Sequence, residues 1–187
     1  GPTGPTGPTL SSSPAPGGRF LREGLVLLAF SLLTVLMTWP WAAMIRDGVP
    51  DPGDPYLNAW ILWWDWHATF HDPLSLFHGN VFFPYHWTLA FSEHNYGLAL
   101  LLFPLFALGA TPLTAHGVAM LLGYALSGYG AFRLARTLAG STGAAWVAGI
   151  AFAFVPYRFH HISHVNYTFT AWVPLVLEAV VLFVRKR

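Results

Sequence analysis

The sequence predicts an all-α integral membrane protein with about four transmembrane helices and further interfacial or re-entrant helices in its first outer loop. Three observations predict this class. Of the 187 residues, 55% are hydrophobic and only 9% are charged, whereas about one-quarter of a soluble domain is charged. Several apolar runs have about the length that a bilayer core requires. The few Lys and Arg residues lie beside those runs, as the positive-inside rule expects.

Composition also excludes some functions. The net charge of +1 supplies no basic surface, so we exclude nucleic acid as a partner. Since the sequence contains no Cys, it has no disulfides, thiolate metal sites or cysteine nucleophiles. The partners that composition favours are the membrane with its lipids and other membrane subunits.

Residues 1–18 differ from the rest of the sequence. Three Gly-Pro-Thr triplets are followed by Ser, Pro and Gly residues, and three triplets are too few for a collagen helix by themselves. We therefore predict a flexible or polyproline-like tail, with a trimerising collagen segment as the alternative. Residues 19–187 form the predicted membrane domain.

Four apolar segments are predicted to span the membrane. The first covers about residues 24–45 and follows Arg19 and Arg22, which favour a cytoplasmic N-terminus. It is too long for the apolar region of a signal peptide, and no small-residue cleavage site ends it. The further spans are predicted at about residues 113–132, 144–157 and 170–184.

Residues 97–109 form a shorter apolar segment that contains Pro104. Its roughly 13 residues would reach about 20 Å, whereas a bilayer core is about 30 Å thick. We therefore predict an interfacial or re-entrant helix. This choice places seven of the nine Lys and Arg residues, and both termini, in the cytoplasm. Residues 46–112 then form one outer loop, and residues 157–169 share its face.

The polar chemistry is concentrated on this outer face. Residues 46–96 contain six of the eight acidic residues and five of the nine histidines. Residues 56–70 combine four tryptophans with an aspartate and a histidine, which predicts an amphipathic helix at the level of the lipid headgroups. These tryptophans suit membrane anchoring, with ligand binding as the alternative.

Two acidic motifs in the outer loop are candidate catalytic groups. Asp51 and Asp54 follow the first span, where an aspartate can act as a general base or hold a divalent cation. The alternative is a tight turn in which Asp54 caps the next helix. Glu93 is the second candidate acid, with His94 beside it as a candidate substrate-binding residue. The alternative for Glu93 is a charge favoured by the helix dipole.

A histidine-rich segment precedes the last predicted span. If this stretch is helical, His160 and His164 lie one turn apart and are suited to hold a divalent metal. Arg158 and His161 are suited to contact a phosphate. The alternative is a set of polar residues that cap two membrane helices at the interface.

The order of these motifs resembles the N-terminal part of the multispanning glycosyltransferases of the C superfamily, which use polyprenyl-phosphate-linked sugars. The matching features are DPGDPYLNAW after the first span, SEHNYGLALLLFPL, RLARTLAG at the end of a span, and FAFVPYRFHHISH. The resemblance covers residues 19–187 and is closest to bacterial members with a GDP-x-x-NAW start and a PYR-x-x-H-x-x-H loop. Family members usually have eight or more spans, which is more than the four predicted here.

The resemblance implies roles and a location. It implies that Asp54 is the catalytic carboxylate, that Asp51 supports it, and that Glu93 occupies the second acidic position. Arg158 would face the lipid-linked phosphate. The protein would lie in the bacterial cytoplasmic (inner) membrane.

Two functions therefore remain open. The first is a glycosyltransferase module at the outer face, in which Asp54 deprotonates the acceptor while Arg158 and a divalent metal, the candidate cofactor, offset charge on the leaving phosphate. The second is a non-enzymatic accessory subunit of a larger membrane complex, including a truncated or inactive homologue of the enzymes. A transporter or channel is disfavoured because Glu178 is the only charged residue within a predicted span.

Overall fold

The computed structural model describes residues 16–187. Every regular element in that range is a helix, which confirms the all-α class. Of the predicted tail, residues 1–15 lie outside the described residues, whereas residues 16–18 begin the first helix. The helices are α1 (Pro16–Met37), α2 (Asp54–His71), α3 (Tyr96–Ala107), α4 (Pro112–Ala139), α5 (Thr142–Ala153), α6 (Pro156–His160), α7 (Val165–Thr168) and α8 (Trp172–Arg185).

Three segments of the described chain are long and apolar enough to cross a membrane. They are Gly17–Met37, Pro112–Ala139 and Val165–Arg185, of 21, 28 and 21 residues. Of the residues in their most apolar stretches, 17%, 56% and 28% are buried. The chain is therefore a membrane protein in which α4 is central, while α1 and α8 present apolar side chains outward.

Two predicted spans differ from the observed helices. The predicted span at 24–45 is shifted, because α1 ends at Met37, ahead of Pro40, which donates no backbone hydrogen bond and disfavours helix in the preceding residue. The predicted span at 144–157 corresponds to α5, whose 12 residues give only about 18 Å. This helix ends before Pro156 for the same reason. In the described chain, three segments are therefore long and apolar enough to cross a membrane, and α5 is not among them.

The central helix α4 is longer than the span predicted at 113–132, because a clear signal marks each end. At the start, Thr111 Oγ1 accepts a hydrogen bond from the backbone N–H of Thr114 at 3.2 Å, which caps the helix. At the end, Gly140 adopts φ 67° and its N–H donates to the carbonyl oxygen of Arg136, an arrangement that suits glycine.

Helices α1, α4 and α5 meet around the side chain of Phe30, which is fully buried. Gly128 of α4 and Gly149 of α5 leave room for its ring. A Cβ atom on Gly149 would lie 2.5 Å from Phe30 Cζ and 2.8 Å from the Gly128 carbonyl oxygen. Trp146 stacks on the Phe30 ring with centroids 5.0 Å apart. Two glycines therefore set the spacing of these three helices.

Two ion pairs hold one end of α4 to α1 and α8. Arg136 Nη2 donates to Glu23 Oε1 at 2.5 Å, and the Tyr129 hydroxyl donates to Glu23 Oε2 at 2.9 Å. Arg133 Nη2 donates to Glu178 Oε1 at 3.3 Å, and Arg133 Nε lies 3.0 Å from Glu178 Oε2. The start of α1 and the ends of α4 and α8 therefore share one end of the bundle. We call it the cationic end, because it carries the seven basic residues that the positive-inside rule predicts to be cytoplasmic. They are Arg19, Arg22, Arg133, Arg136, Arg185, Lys186 and Arg187.

The short helix α3 corresponds to the apolar segment predicted at 97–109. Its 12 residues give about 18 Å, too little to cross a bilayer core. It packs against α2 and the first half of α4, where Leu102 and Phe106 join one buried cluster with Ala115. The helix continues through Pro104 to Ala107, because a proline in the last turn displaces few backbone hydrogen bonds.

Candidate functional site

The second helix, α2, carries polar residues on its buried face. Its buried positions recur at spacings of three and four, the period of one helical face. Two of them, Asn58 and Asp65, are polar and only 4% and 0% exposed, so both require internal partners. The buried residues of α2 are Pro55, Asn58, Ala59, Ile61, Leu62, Asp65 and Ala68.

Asp54 and His164 meet although they lie in different outer segments of the sequence. His164 Nε2 is 2.9 Å from Asp54 Oδ2, and the two side chains are 32% and 55% exposed. His164 Nδ1 is buried without a hydrogen-bond partner among the described residues, so Nε2 is the nitrogen that contacts Asp54. Asp54 is the first residue of α2, where the helix dipole stabilises a negative charge. More than half of the Asp54 side chain remains accessible to a ligand.

A second contact joins the same two segments. Ser163 Oγ donates a hydrogen bond to Asp51 Oδ2, and Asn58 Nδ2 donates to the Ser163 carbonyl oxygen at 3.3 Å. Ser163 and Asn58 are both buried, so the bond between them is shielded from water, whereas Asp51 is exposed. The structure therefore brings Asp51, Asp54 and His164 together, as the prediction of a shared face for the two segments requires.

His161 lies next to this group in a partly buried aromatic cluster. Its ring centroid is 6.0 Å from that of His164, 4.3 Å from Tyr157 and 5.2 Å from Tyr167. Tyr157 and Tyr167 are themselves exposed. An imidazole and two phenol rings beside an accessible carboxylate form a surface that can both stack on a ligand and hydrogen-bond to it.

The helical arrangement predicted for His160 and His164 does not form. Helix α6 ends at His160, because residues 161–163 form a turn, and His164 pairs with Asp54 instead. Within residues 16–187, no three His, Asp or Glu side chains are grouped closely enough to hold a metal ion. The structure thus offers no assembled metal centre in its described part.

Arg158 lies inside the helix bundle rather than beside the carboxylates. It is 4% exposed, and its guanidinium donates to the Thr168 carbonyl oxygen at 2.7 Å and to Thr170 Oγ1. The guanidinium carbon lies 4.6 Å from the centroid of the Phe152 ring. Arg158 is therefore not placed to face a phosphate beside Asp54, as the resemblance implies, because neutral acceptors a few residues further along the chain satisfy this cation.

A second carboxylate–histidine pair lies deeper in the protein. His94 Nε2 is 3.0 Å from Asp65 Oδ1, and the two side chains are 13% and 0% exposed. Asp65 Oδ2 has no hydrogen-bond partner in the described chain. Burial raises the pKa of Asp65, whereas the hydrogen bond and charge of His94 oppose that rise. A buried carboxylate with a histidine in contact with only one of its oxygens is a candidate proton donor or acceptor.

Glu93 belongs to this second pair's neighbourhood and not to that of Asp54. It is exposed and directly precedes His94, which contacts Asp65. Asp54 and Asp65 lie on nearly the same face of α2, and eleven residues at 1.5 Å per residue place them about 16 Å apart along its axis. The predicted acids therefore fall into two separate groups.

The spacing of apolar residues in α2 identifies Asp65 as a buried residue, although the many tryptophans of this helix make that spacing hard to recognise. Asp65 follows Ile61 and Leu62 by four and three residues and precedes Ala68 by three. These spacings place it on the apolar face of the helix. An aspartate on such a face must be paired or protonated, so the periodicity alone identifies it as a site candidate.

A small cavity of about 150 Å³ lies near the C-terminal end of α2. The His67 and His71 rings stack there with centroids 4.3 Å apart, and His71 Nδ1 donates to the His67 carbonyl oxygen at 2.8 Å. The helix C-terminus and Asp72 make this position unfavourable for an anion. The lining residues are Trp64, His67, Ala68, His71, Asp72, Ser75 and His78.

The strongest candidate site is thus the accessible Asp54 carboxylate, held by His164 and flanked by Asp51 and His161. Its residues come from two segments that are far apart in sequence, and the hydrogen bonds that Ser163 makes with Asp51 and Asn58 hold those segments together. Comparison of this chain with protein-family models, curated proteins and solved structures gives no match.

Proposed function

We propose that this chain is a membrane glycosyltransferase module that transfers a sugar from a polyprenyl-phosphate donor at the outer face of the bacterial cytoplasmic membrane. The contact between Asp54 and His164 carries this proposal. It fixes an accessible carboxylate beside aromatic and histidine side chains, in the loop where the family resemblance expects the catalytic acid. The contact between Asp51 and Ser163 supports the proposal, because it holds together the backbone segments that carry Asp54 and His164.

In the proposed reaction, Asp54 acts as the general base. The free carboxylate oxygen of Asp54 takes the proton from the acceptor hydroxyl. At the same time, the acceptor's own oxygen forms a bond to the anomeric carbon of the sugar. The bond from the anomeric carbon to the phosphate oxygen breaks, and polyprenyl phosphate leaves. Direct displacement inverts the anomeric configuration. His164 positions the carboxylate and does not itself touch the acceptor.

The leaving phosphate requires a positive or hydrogen-bonding partner. Arg158 is poorly suited to this role, since its guanidinium is buried and already donates to Thr168 and Thr170. His161 is better placed, because it adjoins His164 and is only partly buried. We therefore assign His161 to the donor phosphate and leave Glu93 and His94 to the second, separate group.

The test is substitution of Asp54 by Asn in the full-length protein in membranes. With polyprenyl-phosphate-linked hexoses as donors, we expect release of polyprenyl phosphate to fall about 100-fold or more, as for loss of a general base. Asp47→Asn is the matched control, since Asp47 is an exposed aspartate of the same loop. Equal release by the two variants would exclude Asp54 as the base.

A second candidate function is that of an accessory subunit in a larger membrane complex. The observation that favours it is the position of Arg158, which removes the cation expected to face the donor phosphate. The largely exposed apolar surfaces of α1 and α8 would then contact partner helices. Purification in mild detergent distinguishes the candidates, since a subunit remains bound to partners in fixed stoichiometry.

A further inference from the structure

One part of the predicted outer loop exposes large aromatic side chains in a stretch of sequence that lacks Lys, Arg, Asp and Glu. We call residues 81–91 the aromatic loop. The surrounding stretch, residues 73–92, contains no Asp, Glu, Lys or Arg. The exposed aromatic residues are Phe82 (76%), Phe83 (97%), Tyr85 (76%), Trp87 (53%) and Phe91 (89%).

The base of the aromatic loop is anchored to the protein. Leu89 is only 2% exposed, and its backbone N–H donates to the Phe77 carbonyl oxygen at 3.1 Å. Thr88 Oγ1 donates to the Gly79 carbonyl oxygen at 3.4 Å. The Trp60 ring packs so closely on Gly79 that a Cβ atom there would lie 2.8 Å from it. The outward aromatic side chains are therefore carried by a fixed framework.

The backbone conformation of two residues also indicates that the loop holds its aromatic side chains outward. Phe82 and Trp87 adopt φ values of 60° and 61°, in the left-handed region that bulky residues rarely occupy. A turn there ordinarily uses Gly or Asn. Here aromatic residues hold these positions, and both expose their side chains. A loop designed only for solubility would use neither this backbone nor these residues.

We propose that the aromatic loop inserts into the headgroup region of the adjoining bilayer leaflet and forms a membrane anchor in addition to the spanning helices. Phe, Tyr and Trp side chains favour this region because it accepts both apolar rings and polar tips. Since the loop has no Lys or Arg, its insertion does not depend on anionic lipid. The protein's own spanning helices keep a bilayer next to the loop. This inference is independent of the proposed enzymatic activity.

The test uses the absence of cysteine from the sequence, which allows single labels without background. Phe83→Cys and Phe91→Cys carry an environment-sensitive fluorophore, and Glu93→Cys, at an exposed polar position just outside the loop, is the matched control. Each protein is placed in phosphatidylcholine vesicles. Quenching is measured with aqueous iodide and with nitroxide-labelled lipid, and an unchanged melting temperature shows that each variant is folded.

We expect the labels at 83 and 91 to be quenched by nitroxide lipid and to be at least about threefold less sensitive to iodide than the label at 93. Adding phosphatidylglycerol should leave both values unchanged. Iodide quenching at 83 and 91 equal to that at 93 would overturn the proposal. Protection from iodide without quenching by nitroxide lipid would also overturn it, because another protein surface would then cover the loop.

Discussion

The packing of Phe30 between two glycines allows a quantitative prediction for Gly149→Ala. An alanine Cβ would lie 2.5 Å from Phe30 Cζ, 2.8 Å from the Gly128 carbonyl oxygen and 3.2 Å from Phe132 Cβ. The Phe30 ring has no free space to enter, since it is fully buried and stacked on Trp146. The Gly128 carbonyl belongs to the helix backbone, so α4 and α5 must move apart.

The expected cost follows from two opposing terms. Overpacking a well-packed core costs about 1–3 kcal/mol, and a rigid backbone contact places this site at the upper end. Replacing glycine by alanine within a helix raises the free energy of unfolding by about 1 kcal/mol. We therefore expect a net loss of about 2 kcal/mol, which corresponds to a roughly 30-fold change in the unfolding equilibrium constant.

The assay is equilibrium unfolding in mixed detergent micelles, followed by circular dichroism. Gly24→Ala is the matched control, because a Cβ atom on this helical glycine meets nothing within 4 Å. It should leave stability unchanged or raise it slightly. Phe30→Leu combined with Gly149→Ala should recover part of the loss, since the shorter side chain removes the closest contact. A Gly149→Ala protein as stable as the Gly24→Ala control would refute this account of the helix spacing.

Two further predictions concern charged groups. Burial raises the pKa of Asp65 above the value of an unfolded aspartate, so the stability it contributes is present at low pH and is lost as the pH rises through the raised pKa. Asp65→Asn should therefore gain stability relative to the wild type as the pH rises above about 4, measured by thermal melting, and a difference that does not vary with pH would contradict this. Glu178→Gln should cost about 1–3 kcal/mol because it leaves Arg133 without its partner carboxylate. The double variant with Arg133→Gln should be more stable than Glu178→Gln alone, and failure of that recovery would show that the ion pair is not the source of the loss.

The fold class follows from composition, but helix boundaries depend on single residues. Hydropathy marks residues 24–45 as one apolar run, whereas Pro40 ends α1 earlier through its backbone, which a hydropathy average does not record. The same reasoning applies to the predicted span at 144–157, which Pro156 limits. The short helix α3 was predictable, because length alone separates it from a spanning helix.

The candidate site was predictable only in part. The basic residues group the predicted outer segments on one face, which predicts that Asp54 and the segment containing His164 share a surface but not that these two side chains pair. The partner of Arg158 was not predictable in the same way, because Thr168 and Thr170 compete with any carboxylate and carry no charge that would mark them. Asp65 was detectable from helical periodicity, although its partner His94 depends on how the loop before α3 folds back.

The two ion pairs at the cationic end have a consequence for how the helices are ordered around α4. A carboxylate within an apolar helix is costly unless it is paired, and Glu178 lies within the last apolar segment of the described chain. Arg133 and Thr137 of α4 donate hydrogen bonds to it, whereas Glu23 of α1 pairs with Arg136. Since each carboxylate has its own arginine on α4, α1 and α8 occupy separate positions on that helix and do not compete for one cation.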